Sequence, residues 1–334
     1  MSDQGNVWVI GEERNGAVHQ VSYELLAWGR RVADLLSGSV GCVILGARTH
    51  GAAERLVRQG ADRVVAVEHQ RLAESRTEDY VRILRRILED EAPSVVLAAS
   101  STLGRTVMPI LAIHLDTGLT ADCTGLDVDP QDGCLLQTRP AIGGNVLATI
   151  KTPHHRPQMA TVRPRSCAPL AEDPTRSGRI VRIVPMEDDL EGRIRRIGFE
   201  PDPGGDQPLE DADVIVSGGK GLGRADAFAT VDELARLLGG ASGASRVAVD
   251  LGWAPYAHQV GLSGKSVRPK LYVALGISGS PNHLAGMSTS ERIVAVNRDP
   301  DADIFRVADF GIVGDVHEVI PALLRRLKAE RDQS

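Results

Sequence analysis

Aromatic residues are scarce in this 334-residue chain: three Trp, four Tyr and four Phe, 3% in all. A core must therefore be assembled from Val, Leu, Ile and Ala, a diet that suits parallel strands covered by helices on both faces. Cysteine is sparse too. Cys42, Cys123, Cys134 and Cys167 lie far apart with no C-x-x-C pair, which argues against zinc or iron–sulfur ligation and for buried free thiols in a reducing compartment. No apolar run approaches the ~18 residues of a membrane span. Met1–Ile10 lacks a charged start followed by a long apolar stretch, so a cytoplasmic protein is expected. Positive charge is not in excess. The formal net charge is -6 and no basic face extends over a long stretch, which argues against nucleic acid as the main partner. The short cluster Arg193, Arg195 and Arg196 reads as a solvated face.

What is present fits an α/β chain of two domains. Hydrophobic residues make up 42%, enough for a sizeable core. In the amino-terminal half, strand-like Val7–Ile10, Val40–Leu45, Arg63–Val67 and Ser94–Ala98 alternate with helical segments. Ser22–Leu36 carries Leu25, Leu26, Val32, Leu35 and Leu36 at helical spacing; Glu78–Leu88 carries Val81, Ile83, Leu84, Ile87 and Leu88. That rhythm predicts a βαβ-type parallel sheet. Leu135–Thr138, Val146–Ile150 and Met159–Val162 are shorter runs broken by Gly and Pro, expected as an antiparallel addition to the sheet.

Phe199–Gln207 reads FEPDPGGDQ and is followed by Pro208. Its Pro, Gly and acidic content marks a linker. The expected division is therefore 1–198, a linker over 199–210, and a second, doubly wound domain over 211–334. In that second part Val214–Val216, Leu271–Leu275, Ile293–Val296 and Gly311–Val313 read as strands, Val231–Leu238 and Val319–Leu327 as helices. Ligands of open α/β sheets bind outside the carboxyl ends of the strands, so the Gly, Ser, Asn and Asp residues at those ends are the candidates.

Ser217–Gly223 (SGGKGLG) comes directly after the strand DVIV. Its glycines permit close backbone approach to an anion. The spacing of Gly219, Gly221 and Gly223 departs from G-x-G-x-x-G, and Asp250 lies too far downstream for the dinucleotide fingerprint. A ligand-facing turn and a purely structural one both stay open. Gly264-Lys265-Ser266 ends like a P-loop, but Gln259 stands where its first glycine belongs and Pro255 precedes it, so a nucleotide-triphosphatase is rejected. Gly276–His283 (GISGSPNH) ends another strand and places small residues where backbone N–H groups can meet a pyrophosphate.

The stretch from Gly243 to Asp315 contains GASR (Gly243–Arg246), QVGLSGK (Gln259–Lys265), RPKLYVALGISGSPNHLAGM (Arg268–Met287), IVAVNRDPDADIF (Ile293–Phe305) and VADFGIVGD (Val307–Asp315). In order and spacing these resemble the alpha subunit of electron-transfer flavoproteins. TGLTADCTGL (Thr117–Leu126), RPAIGGN (Arg139–Asn145) and RPQMATVRP (Arg156–Pro164) are similar to that family more loosely. Together the likeness covers nearly the whole chain.

The resemblance implies an FAD-carrying electron carrier that turns over no substrate of its own. Val260, Gly261, Leu262 and Ser263 resemble the loop passing the flavin ring, with the Ser263 hydroxyl facing N5. Arg246 resembles the guanidinium over the isoalloxazine, whose fixed charge favours adding the first electron. His283 matches an imidazole near the flavin C2 carbonyl. Ser245, Ser278, Gly279, Ser280, Pro281 and Asn282 match positions around the ring and pyrophosphate; Asn297, Asp315 and Val316 match the ribose and adenine end. Two departures stand out. Lys220 occupies a turn that is GGRGL-like in some relatives, and Lys lacks the bidentate fork of Arg. Leu262 replaces a frequent Gln. The implied partner is a beta subunit forming a heterodimer and carrying AMP or a second FAD. Implied donors are flavoprotein dehydrogenases, or NADH through the beta subunit, and the acceptor is quinone-linked or another redox protein. WVIGEERNG and TGLTADCT look more like the subgroup whose partner holds a second flavin, in which the complex splits electron pairs.

The remaining candidates carry less. His154-His155 in TPHHRP has no acid or thiol at ligand spacing and reads as a surface loop. Asp116, Asp122 and Asp127 lack EF-hand spacing and read as a turn region. No Ser/His/Asp or Cys/His pairing supports nucleophilic catalysis. Trp253 and Tyr256, just before the flavin-like loop, admit either cofactor stacking or local packing. Arg246 either opens a strand RVAVDL or closes a short strand ending at SR; the strand-end rule favours the second. An alternative from another class, an NAD(P)-dependent oxidoreductase with a Rossmann-like domain, needs a proper fingerprint and a proton-transferring residue that the sequence does not display.

Overall fold

The computed structural model describes residues 5–14, 16–74, 76–141, 146–194, 197–198 and 208–331. Phe199–Gln207, Arg195, Arg196 and the end of the RPAIGGN segment lie outside the described residues. The chain divides into two compact units, one within 5–198 and the other within 208–331.

In the first unit the strands are β1 (Val7–Gly11), the short pair β2 (Glu13–Arg14) and β3 (Ala17–Val18), β4 (Val40–Gly46), β5 (Arg63–Glu68), β6 (Val95–Ala99), β7 (Leu119–Cys123), β8 (Gly125–Val128), β9 (Leu135–Pro140), β10 (Leu147–Ile150), β11 (Gln158–Val162) and β12 (Arg179–Ile183). The helices are α1 (Gln20–Leu35), α2 (His50–Arg58), α3 (Thr77–Glu91) and α4 (Thr102–His114). Seven strands form a parallel sheet in the order β12-β5-β4-β1-β6-β11-β7. Every residue of β1, β4, β6 and β11 is buried, as expected of strands with helices on both sides. One face packs Val9, Cys42 and Leu97 against Leu25 and Leu26 of α1 and Leu56 of α2; the other packs Ile10, Val43 and Val96 against Leu84 of α3 and Met108 of α4. Leu35, expected in the buried stripe of α1, is half exposed at the helix end. Burial pushes the Cys42 and Cys123 thiols up to about 12, so both stay protonated and inert.

One expectation is corrected here. Met159–Val162 belongs to no antiparallel addition: as β11 it lies parallel between β6 and β7 in the main sheet. The antiparallel strands form a sheet of their own, β10-β9-β8. Strand β11 has the wholly buried pattern of a central parallel strand, which short length and flanking prolines conceal in the sequence.

In the second unit β13 (Val214–Gly218), β14 (Ala241–Ala244), β15 (Leu271–Leu275), β16 (Ile293–Asn297) and β17 (Phe310–Val313) form a parallel sheet in the order β14-β13-β15-β16-β17. Helices α5 (Phe228–Leu237) and α8 (Val316–Arg331) supply Phe228, Val231, Leu234, Ile320 and Leu324 to one face. On the other, Met287 of α7 (Pro281–Met287) packs with Leu209, Tyr272 and Ile304. The chain leaves β13 first toward β14, then returns to lay β15 on the opposite side. The crevice between β13 and β15 is the switch point of a doubly wound sheet, where ligands bind at the carboxyl ends.

Candidate functional site

At those carboxyl ends lies an open cleft of about 550 Å³. It gathers Lys220 after β13, Ser245 and Arg246 after β14, Val260 to Ser263 from the long excursion before β15, Ser278 after β15, Ser280, Asn282 and His283 around α7, and Asn297 at the end of β16. Positions predicted from five sequence segments thus line one space. Gly279, Pro281, Asp315 and Val316 are outside its lining. Pro281 is the first residue of α7, the Asp315 carboxylate accepts from the His317 N–H at 2.8 Å at the start of α8, and Val316 is buried in the core.

Each wall has a local cause. The SGGKGLG turn is tied to β15: the Gly219 N–H donates to the Leu275 carbonyl and the Gly221 N–H to the Gly276 carbonyl, both at 2.9 Å. A Cβ on Gly221 would stand 2.7 Å from the Gly276 Cα, so the two chains cross in contact only because both residues are glycine. The turn is thus structural, and the crossing also places Lys220 at the cleft.

Strand β14 stops at Ala244. Ser245 caps the turn beyond it, its Oγ accepting from the Ala248 N–H at 3.4 Å, and Arg246–Asp250 is a short helix, α6. Neither sequence reading of Arg246 is right in full: the strand is short, as the strand-end rule held, but it ends one residue before Ser245. RVAVD is helix and not strand. Arg246 pairs with Asp250 at 3.5 Å, and both side chains are largely exposed.

The loop from Gln259 is braced on both sides. Val260 N–H donates to the Ala244 carbonyl at 2.9 Å and Leu262 N–H to the Asn282 carbonyl at 2.7 Å. A Cβ on Gly286 would stand 2.5 Å from the Gly261 Cα, so loop and α7 touch backbone to backbone. Tyr256 donates its hydroxyl to the Ser263 carbonyl at 2.9 Å, whereas Trp253 packs edge-on to Phe228 with centroids 6.5 Å apart. Both make local packing contacts, and neither lines the cleft. Lys265 bonds Glu210 at 2.6 Å, a structural engagement for the lysine of the rejected P-loop.

The lining carries Lys220, Arg246 and Arg298 against a single carboxylate, Asp299, so the cleft favours an anion. Its buried polar group is His283. Nε2 lies 3.0 Å from the Tyr272 hydroxyl, while Nδ1 is sealed from solvent without a hydrogen-bond partner. Burial pushes the imidazole down to about 4; the Val260 backbone acts in the other direction but makes no well-formed bond with the ring. His283 is thus neutral at physiological pH. Burial also raises the Tyr272 phenol, with the Ser217 hydroxyl acting against it.

Sequence reading missed Gly221, Val247, Gly276, Ile277, Arg298, Asp299 and Ala302 in the lining. Arg298 and Asp299 come just after the end of β16, so the strand-end rule reached their segment without singling them out. Buried Gln259, whose amide holds the Ser263 hydroxyl at 3.1 Å, carried no signal beyond its place in the loop.

A family profile described as "Electron transfer flavoprotein domain" matches residues 7–187, and one described as "Electron transfer flavoprotein FAD-binding domain" matches residues 208–288. The chain is 45% identical to the electron transfer flavoprotein subunit alpha of Thermoanaerobacterium thermosaccharolyticum, over 98% of this chain and 99% of that one. It is 40% identical to the subunit of the same name from Megasphaera elsdenii, over 99% and 98% of the two chains. Protein FixB of Azotobacter vinelandii is 42% identical over 99% of this chain and 93% of its own.

Proposed function

The chain belongs to the electron transfer flavoprotein family as an alpha subunit, an electron carrier with an FAD-binding domain, and on that premise we propose which of its residues hold the flavin and prepare it to accept charge. When bound, FAD supplies the one- and two-electron chemistry, which the protein tunes. The cleft suits such a group: an excess of cations in its lining and glycine crossings that bring backbone close.

In this reading Val260, Gly261, Leu262 and Ser263 pass the isoalloxazine, and the Ser263 hydroxyl donates to N5 or accepts from it as the redox state changes. Arg246 sets a fixed positive charge over the ring that favours addition of an electron. Lys220, Ser245, Ser278, Gly279, Ser280, Pro281 and Asn282 surround ring and pyrophosphate. Asn297, Asp315 and Val316 serve the ribose and adenine end. His283 offers a neutral imidazole to the carbonyl-bearing rim. One observation carries the reading: residues from separate segments of the sequence converge on one cleft at the sheet's switch point.

The partner is a beta subunit forming a heterodimer in the cytoplasm and holding AMP or a second FAD. Flavoprotein dehydrogenases, or NADH through the beta subunit, donate electrons; a quinone-linked or other redox acceptor takes them. Among the described residues no helix is long and apolar enough to cross a membrane. The NAD(P)-dependent alternative is not favoured by the comparisons. Flavin absorbance of the chain purified alone and with its partner tests the proposal: yellow, FAD-containing protein supports it, and colourless protein that binds NAD overturns it. One FAD with one AMP per heterodimer rules out electron bifurcation, which needs the second flavin.

A further inference from the structure

Residues 259–265 close on themselves and carry Ser263 near the open tip. The Lys265 N–H donates to the Gln259 carbonyl at 2.7 Å; the Gly261 N–H donates to the Lys265 carbonyl and the Gly264 N–H to the Gly261 carbonyl, both at 3.0 Å. A Cβ on Gly264 would stand 2.3 Å from the Gln259 carbonyl oxygen, so the loop closes this tightly only with glycine there. One end of the loop is seated by the buried side chains of Gln259 and Val260. At the other end the Lys265 ammonium meets the Glu210 carboxylate at 2.6 Å. Between them Leu262 and Ser263 are exposed and line the cleft.

Glu210 is not a freely rotating surface acid. It lies in a single 3-10 turn, Leu209–Asp211, with buried Leu209 before it and buried Ala212 after it. Leu209 shares a hydrophobic core with Val260 and Val267, which flank the loop. Ion pairs between exposed side chains contribute little, because two mobile groups must be ordered to form them. Here both backbones are fixed beforehand, and each side chain keeps only 35% of its surface exposed. That setting favours a short, directional, charge-assisted bond. Pro208 follows directly on the linker-like FEPDPGGDQ. The point where the chain enters its second unit is therefore fastened, across 55 residues of sequence, to the loop that carries Ser263.

Resting on the flavin-site reading above, we propose that Lys265 and Glu210 are positioning residues whose ion pair holds the far end of the 259–265 loop shut and so fixes where the Ser263 hydroxyl meets the flavin. Neither residue lines the cleft; both act through Ser263. Without the pair the backbone bonds still close the loop, but its tip gains play, and a displaced hydroxyl makes a poorer hydrogen bond.

The test compares the parent, Lys265→Met, Glu210→Gln and the exchanged pair Lys265→Glu with Glu210→Lys, each as the full chain alone and assembled with its beta subunit and FAD. In the chain alone, amide exchange at residues 260–265 is expected to quicken by roughly twofold to fivefold in both single variants and to return toward the parent rate in the exchanged pair. In the heterodimer the flavin potential is expected to shift in the same direction as in Ser263→Ala and by less, again with recovery in the exchanged pair. A pair with a structural task alone would alter stability and leave the potential where it was. Unchanged loop exchange in both single variants, an unchanged potential, or a shift opposite to that of Ser263→Ala overturns the proposal. Should Lys265→Met fail to fold, Glu210→Gln, which keeps the shape of the side chain, still decides. If the loop exchange behaves as expected but the parent takes up no FAD, the flavin-site reading is overturned instead, which separates the two failures.

Discussion

The side-chain amide of Gln259 donates to the hydroxyl of Ser263 at 3.1 Å, so a buried residue aims an exposed one. With one lone pair engaged by the amide, the Ser263 proton stays available to an acceptor in the cleft. Gln259→Leu removes the brace and keeps the volume. A lost hydrogen bond of this kind costs about 1 kcal/mol, so FAD affinity is expected to fall by roughly fivefold, measured by fluorescence titration of the assembled heterodimer. Ser263→Ala is expected to shift the flavin potential with little change in stability.

Arg246 is held only loosely, by an exposed pair with Asp250. Pairs of this kind contribute ~0–1 kcal/mol. Arg246→Ala is therefore expected to leave urea unfolding within about 0.5 kcal/mol of the parent. The potential at which the flavin takes its first electron is expected to drop, because a fixed cation beside developing negative charge is gone. A redox titration alongside the unfolding curve checks both halves; an unchanged potential contradicts the assigned role.

His283 carries a pH signature. Its folded value lies near 4 against an ordinary 6.5, with burial as the cause. A depressed histidine favours the fold while neutral, so its contribution is complete above about pH 6.5 and is lost as pH falls toward 4. At ~1.4 kcal/mol per pKa unit the loss is roughly 3 kcal/mol. Denaturant unfolding at pH 7.5 and pH 5 is expected to show a smaller acid loss in His283→Gln than in the parent chain. Equal losses in the two contradict this account.

Gly276 has φ +62° and touches the Gly221 backbone where a side chain has no room. Gly276→Ala is expected to cost about 1–3 kcal/mol by overpacking and to weaken FAD binding by displacing Lys220. Gly252, also at positive φ but with open space around it, serves as the control for backbone strain alone: its Ala variant is expected to retain flavin. Thermal melts and flavin content of the two purified variants distinguish crowding from strain.

Much of the fold is legible where the apolar runs are strong. Leu271–Leu275 is a strand over the range its pattern predicts, and the strands from Val7, Val40 and Arg63 differ by a residue at their ends. Strand β14 is legible only through the strand-end rule, as a short strand placed one or two residues too far on, since ASGA has little intrinsic strand preference; its pairing with β13 makes it a strand. RVAVD alternates like a strand yet coils because Ser245 caps it. Helix α4 escapes a sequence reading because it is apolar on many sides and carries Pro109. Most positions of the candidate cleft are legible through family resemblance and the strand-end rule, whereas Gly279, Pro281, Asp315 and Val316 fall outside its lining. Contacts such as Tyr272 with His283 are not legible, because the two residues lie eleven apart on different elements and only folding brings them together.

The central claim is that residues at the carboxyl ends of β13 to β16 grip the flavin. Amide hydrogen exchange of the assembled heterodimer with and without FAD tests it most directly. The account predicts slowing at residues 219–223, 245–246, 259–264, 276–283 and 297–299. Uptake of FAD with exchange unchanged at those segments, or slowed only within residues 5–198, contradicts it.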